Sequence, residues 1–190
     1  MRPAAIALVA AACTLAACGS APPLPARSAV VPDGLDLSGD WQLQPASRDT
    51  IRRISEAERR AAGPGDSLIP GNSAGSRRRN NDDIQVHVFL EYGSSLRITQ
   101  TEYGLFISFD RAIVEEYRFG EQRMVRVGPI QAERVSGWES DAYVIMTRDK
   151  EGTLLTESYR LENDDKMVRR VRIDGEPGAE LDVVQVFDRR

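Results

Sequence analysis

The chain of 190 residues carries 29 acidic against 25 basic side chains, a net charge of −4, and its basic residues are scattered through strand-like segments. With no basic stripe, the sequence speaks against a nucleic-acid partner. A body of roughly 155 residues, left after an N-terminal segment is set aside, forms one domain and buries close to two-thirds of its unfolded surface without staples.

Residues 1–17 form the first element. Arg2 supplies a positive start, Ala4 to Leu15 is a short apolar run, and small residues follow. The run falls short of the roughly 20 apolar residues that span a bilayer, so it predicts a cleavable export signal. Leu15-Ala16-Ala17-Cys18 resembles the lipobox of bacterial lipoproteins, in which small residues before the cysteine fit a dedicated signal peptidase. That resemblance implies that Cys18 becomes the first mature residue and carries the lipid. Cys13, the other cysteine, follows Ala10-Ala11-Ala12, which leaves a shorter apolar run and no lipobox leucine. A Cys13–Cys18 disulfide would staple a segment that is normally removed. One acyl chain anchors only marginally; the triacylated cysteine implied by the resemblance meets the need for more. Gly19 and Ser20 stand where lipoproteins retained in the inner membrane carry Asp, so the expected address is the periplasmic face of the outer membrane. Residues 18–33 read as a lipidated tether, because "GSAPPLPARSAVVPDG" has four prolines and such composition favours an extended spacer.

The domain, 34–190, opens with "LDLSGDWQLQP", where Leu35, Leu37, Trp41 and Leu43 alternate as in a half-buried strand. Residues 47–62 change period: Ile51, Ile54, Ala57 and Ala61 form a narrow apolar stripe with Arg52, Arg53, Glu56, Arg59 and Arg60 on the other face. This predicts one amphipathic helix, stopped by Gly63-Pro64-Gly65. Residues 63–83, with Arg77-Arg78-Arg79, read as a long polar loop, and 84–92 fits a strand or a helix. A meander follows, with strands at 95–101, 104–110, 113–119, 123–130, 132–138, 141–148, 153–161, 167–173 and 180–187 between turn signals. Inward candidates are Leu96, Ile98, Leu105, Ile107, Tyr117, Phe119, Trp138, Val144, Met146, Leu155, Tyr159, Leu161, Val171, Ile173, Val183 and Phe187. The fold class is all-β with one helix, an antiparallel barrel, with a β-sandwich as the alternative.

Gly39-Asp40-Trp41 resembles the GxW signature of lipocalins and related calycin barrels. The resemblance implies that Arg189, near the end of the last strand, packs on Trp41 and closes the barrel. "SGxWxL", "GW", "TESYRL" and "VFDR" also resemble pieces of uncharacterised bacterial envelope lipoproteins; here they are Ser38 to Leu43, Gly137-Trp138, Thr156 to Leu161 and Val186 to Arg189. The helix after the first strand is similar in position to the portal helices of fatty-acid-binding proteins.

Chemistry is sparse. His87 is the only histidine, in the structural setting Val86-His87-Val88, and supports neither a metal cluster nor a triad. The acid pairs Asp82-Asp83, Glu115-Glu116 and Asp164-Asp165 include neighbours on one strand, which point to opposite faces. No cofactor is expected. Three readings stand: a barrel holding a small apolar or amphipathic ligand, a solid interaction module whose partner is another envelope protein, and an unrecognised hydrolase, which the residues support least. An eight-strand-sized barrel can be filled by side chains or hold one ligand, so pattern does not decide between the first two.

Overall fold

The computed structural model describes residues 22–46, 48–62, 86–175 and 180–190, without the side chains of 57–62 and 87. The signal segment, Cys13, Cys18, the loop at 63–83 and Asp82-Asp83 lie outside the described residues.

Ten strands follow the alternation of the sequence: β1 (Gly39–Leu43), β2 (Ser95–Gln100), β3 (Gly104–Phe109), β4 (Ile113–Arg118), β5 (Glu121–Val127), β6 (Ile130–Glu139), β7 (Ala142–Asp149), β8 (Leu154–Asn163), β9 (Lys166–Asp174) and β10 (Leu181–Arg189). They form one antiparallel sheet in the order β4-β3-β2-β1-β10-β9-β8-β7-β6-β5. Every pairing joins strands consecutive in the chain except one: β1 pairs with β10, joining the first strand to the last. A single curled sheet excludes the sandwich alternative and makes a nearly closed barrel.

The remaining edges, β4 and β5, face each other. Side chains take the place of a ladder there. Arg123 Nη2 donates to Glu116 O at 3.2 Å, and Ser136 Oγ and Tyr143 Oη donate to Arg118 O at 2.8 and 3.4 Å. These bonds satisfy edge carbonyls that a ladder would otherwise serve. The turn between β5 and β6 is Gly128-Pro129, with Gly128 at φ 56°, so the sequence-based boundary at 130–132 moves back by two residues. Val127 and Ile130 then pair across the turn.

One end is sealed. Leu37, Trp41, Leu96, Leu105, Tyr117, Tyr143, Tyr159, Met167 and Phe187 form an apolar cluster in which each is buried. Phe119, Trp138 and Tyr143 meet there with ring centroids 5.3–5.7 Å apart. The N-terminal segment reaches this end by running down the outer wall. Leu24, 6 % exposed, packs on Val135, Val144 and Met146, and Ser28 exchanges backbone hydrogen bonds with Trp138 at 3.0 and 2.9 Å. Burying that leucine is worth about 1.5–3 kcal/mol. From Pro22 onward the proline-rich stretch is therefore docked on the barrel. Val144 and Met146 are corrected by the same contact: they face outward under Leu24, while Tyr143 and Ile145 face in. Both faces of this part of β7 are covered, so both read as apolar.

The other end is the mouth. The helix α1 (Arg48–Ala62) and a 3₁₀ turn, Val86–Phe89, cover it. Val86, Phe89 and Leu90 are buried in a second cluster with Leu155, Val171, Ile173, Leu181 and Val183. The ambiguous segment is thus neither strand nor α-helix, because its conformation is set by insertion into the mouth. Ile54 packs against this cluster, but Ile51 is 53 % exposed, so the stripe along α1 is narrower than its spacing suggested.

Candidate functional site

Between the two apolar clusters the barrel is crossed by a belt of polar side chains. Alternation places Arg134, Thr147, Glu157, Arg169 and Gln185 on the inner face of β6 to β10, and register aligns them: Arg134 lies opposite Thr147, and Arg169 opposite both Tyr159 and Gln185. All five are buried. Arg169 Nη2 donates to Glu157 Oε1 at 2.5 Å and to Glu91 O at 2.7 Å, and Nη1 donates to Gln185 Oε1 at 3.1 Å. Its guanidinium lies 5.3–5.8 Å from the ring centroids of Tyr92, Phe109 and Tyr159. Burial works against that charge, yet the Glu157 carboxylate beside it holds it firmly protonated. Both terminal nitrogens of Arg169 are engaged within the protein and only its buried Nε lacks a hydrogen-bond partner, so Arg169 is a poor candidate for a ligand.

Arg134 is placed differently. Its Nε donates to Thr147 Oγ1 at 3.1 Å, its guanidinium lies 5.4 Å from the Tyr117 ring and 5.6 Å from the Phe89 ring, and Glu115 is 3.5 Å from Nη1. It forms the floor of a groove of about 290 Å³ opening between β4 and β5, with Val88, Phe89, Glu91, Val125 and Val127 on its walls. Burial, reinforced by Glu115 and Glu157, pushes the Glu91 carboxyl above its usual range. Burial also raises the Tyr117 and Tyr159 hydroxyls, so both are neutral donors. The groove therefore offers three arginines, Arg123, Arg126 and the buried Arg134, with Glu115 beside Arg134 and Glu91 nearby, and apolar side chains between them, an arrangement that suits a small molecule with an apolar body and an anionic end.

A larger hollow of about 380 Å³ lies between α1 and the β9–β10 hairpin, but its walls are ion-paired: Arg53 with Asp49, Arg172 with Asp174, and Arg170 with Asp182 close by. No group of three His, Cys, Asp or Glu among the described residues is placed to hold a metal.

Trp41 and Arg189 meet at the sealed end. They are paired in register, and the guanidinium sits 4.2 Å from the indole centroid. Trp41 Nε1 donates to Leu37 O at 3.0 Å, and Arg189 donates to Ser38 O at 2.6 Å and Asp164 O at 2.5 Å. A Cβ on Gly39 would stand 2.5 Å from Arg189 Nη1, so the glycine leaves room for the cation. Arg190 takes the outer face and bonds Gln42. These residues close the barrel far from the groove. Glu115 and Glu116 point to opposite faces, the first toward Arg134 and the second to solvent.

The belt was absent from the sequence reading, although it left a signal. In Met167-Val168-Arg169-Arg170-Val171-Arg172-Ile173, Arg169 falls on the parity of Met167, Val171 and Ile173. Glu157 between Leu155 and Tyr159, and Gln185 between Val183 and Phe187, do the same. A charge on the buried parity of a strand is an interior charge.

No protein-family model and no curated protein sequence matches the chain. Among solved structures it is similar to the secretory abundant heat-soluble protein of Ramazzottius varieornatus, with a TM-score of 0.50 and 10% identity over 83% of this chain and 97% of that one. It also matches a fatty acid transporter, REP1-NXSQ, with a TM-score of 0.46 and 11% identity over 82% of this chain and 96% of that one, and a point variant of it at 0.47 and 12%. The first likeness shows a shared fold, a nearly closed barrel of antiparallel strands.

Proposed function

We propose that the chain is a lipoprotein of the bacterial envelope, anchored through acylated Cys18 at the periplasmic face of the outer membrane, whose barrel binds a small amphipathic anion and performs no catalysis. The observation that carries the binding half is Arg134 at the floor of the β4–β5 groove, beneath the apolar side chains of Val88, Phe89 and Val125. An anionic end placed there gains a charge-assisted bond worth about 1.5–3 kcal/mol, and the apolar body replaces water against the walls. The anchoring half rests on Leu15-Ala16-Ala17-Cys18 after its apolar run.

Titration with a dansylated alkyl carboxylate tests the binding. Wild-type protein is expected to bind it, Arg134→Gln to lose about tenfold in affinity, which is 1.4 kcal/mol, and the matching alcohol to bind as weakly to both. Equal affinity of wild type and Arg134→Gln would sink the assignment. Absence of binding would favour the second reading, an interaction module, which the densely filled sealed half supports. Anchoring is tested separately: Cys18→Ser is expected to abolish palmitate labelling and membrane fractionation.

A further inference from the structure

The docked N-terminal segment fixes where the anchor point lies. Pro22 is at the mouth end of the outer wall: its carbonyl accepts from Arg148 Nη1 at 2.5 Å, and Arg148 is the penultimate residue of β7. From there the chain runs toward the sealed end, past Val135, Val144 and Met146 at Leu24, to the Ser28–Trp138 pairing. Only four residue steps separate Pro22 from Cys18, a reach of at most about 14 Å. A strand of ten residues such as β6 is over ~30 Å long, so the sealed end cannot approach the anchor point while the segment stays docked.

We infer that the leash holds the barrel mouth-first on the bilayer that carries the Cys18 lipid, with the rim of β4 and β5 in the headgroup region. The inference rests on the anchoring reading above. The rim has the matching chemistry. On β4, Ile113 and Val114 are 41 % and 64 % exposed, and on β5, Met124 and Val127, which line the groove, are 65 % and 45 % exposed. Exposed Arg123 and Arg126 are interleaved with them. Apolar side chains mixed with arginines suit an interface of acyl chains and anionic headgroups. The β4–β5 groove then opens toward the lipid, and an amphipathic molecule reaches it without crossing water.

The test uses the acylated protein in vesicles of phosphatidylethanolamine and phosphatidylglycerol, with mass spectrometry first showing the lipid on Cys18. A fluorophore is attached at Val127→Cys on the rim or at Tyr103→Cys in the β2–β3 turn of the sealed end, and quenched by spin-labelled lipid. The rim label is expected to be quenched several-fold more than the Tyr103→Cys label. In the Leu24→Asp variant, checked for retained β structure by circular dichroism, the undocked leash is longer and the contrast is expected to collapse. Equal quenching in the otherwise native protein overturns the inference, as does a contrast that Leu24→Asp leaves unchanged. An unmodified Cys18 overturns the anchoring reading and the orientation with it, whereas an acylated protein with equal quenching overturns the orientation alone.

Discussion

Replacing Arg169 by methionine removes the cation at the centre of the belt and leaves its partner inside. The guanidinium is fully buried and the Glu157 side chain is 2 % exposed. In Arg169→Met, the Glu157 carboxylate keeps the Tyr159 hydroxyl at 3.3 Å, and Gln185 and the Glu91 carbonyl lose the donor they share. Breaking a buried pair from one side costs about 3–5 kcal/mol, a large part of the 5–15 kcal/mol that about any domain of this size possesses. Glu157→Gln is expected to be milder, about 1–3 kcal/mol, because the guanidinium retains Glu91 O, Gln185 and three aromatic faces. The double variant Arg169→Met with Glu157→Leu removes both charges and should be more stable than Arg169→Met alone. Urea unfolding of the chain lacking residues 1–18, followed by tryptophan fluorescence at pH 7, measures all four proteins. A cost below about 1 kcal/mol, or a double variant no better than Arg169→Met, would refute the view that the two charges compensate each other.

Two more outcomes follow from the geometry. Trp41→Phe and Arg189→Met should show a coupling of about 0.5–2 kcal/mol in a double-mutant cycle, given the 4.2 Å approach; additive unfolding free energies would mean that the stacking contributes nothing. Glu91 titrates above its usual range in the folded protein, chiefly through burial, so the folded state holds a proton that the unfolded chain has released. Between the ordinary carboxyl value and the raised one, stability therefore falls as pH rises. Glu91→Gln should match wild type at pH 4 and exceed it at pH 7; equal stability at both values would show the carboxyl to be well solvated.

Much of the fold was legible because one rule, period-two alternation broken by turn residues, governs most of the strands, and from β2 onward their hairpins are local. The inward sets of β2, β3, β8, β9 and β10 follow from it directly. It failed where tertiary contacts covered the second face. Tyr143-Val144-Ile145-Met146 is apolar on both parities because Leu24, more than a hundred residues earlier, lies on the outside. The docking itself depends on Gly137, where a Cβ would stand 2.6 Å from Ser28 O, and composition favoured a free spacer there because proline content carries no information about a distant glycine. Segment 86–92 was undecidable for a related reason: its apolar residues fit the mouth, and nothing local describes the mouth. The groove residue Arg134 was readable in principle, lying on the parity of Ala132, Ser136 and Trp138, but only once a charge on that parity is taken as interior.

The filled interior and the ligand-binding reading meet in the inserted turn. Phe89 lies against Arg134 and shares the buried cluster of the mouth, so the barrel already holds an apolar group where a ligand's body would sit beside the cation. Withdrawing a buried phenylalanine costs about 1.5–3 kcal/mol, and the bond between Arg169 and the Glu91 carbonyl ties the same segment to the belt. A ligand that must displace the turn binds more weakly by the fraction of molecules in which the turn is already out. A ligand that lies in the groove above Phe89 avoids that cost, but only about 290 Å³ is open to it. The solid module and the binding barrel are then the same structure, separated by the free energy of moving 86–92. The sealed half takes no part in that exchange: Trp41, Tyr143, Tyr159 and Phe187 are each fully buried, and the ionic belt stands between them and the mouth.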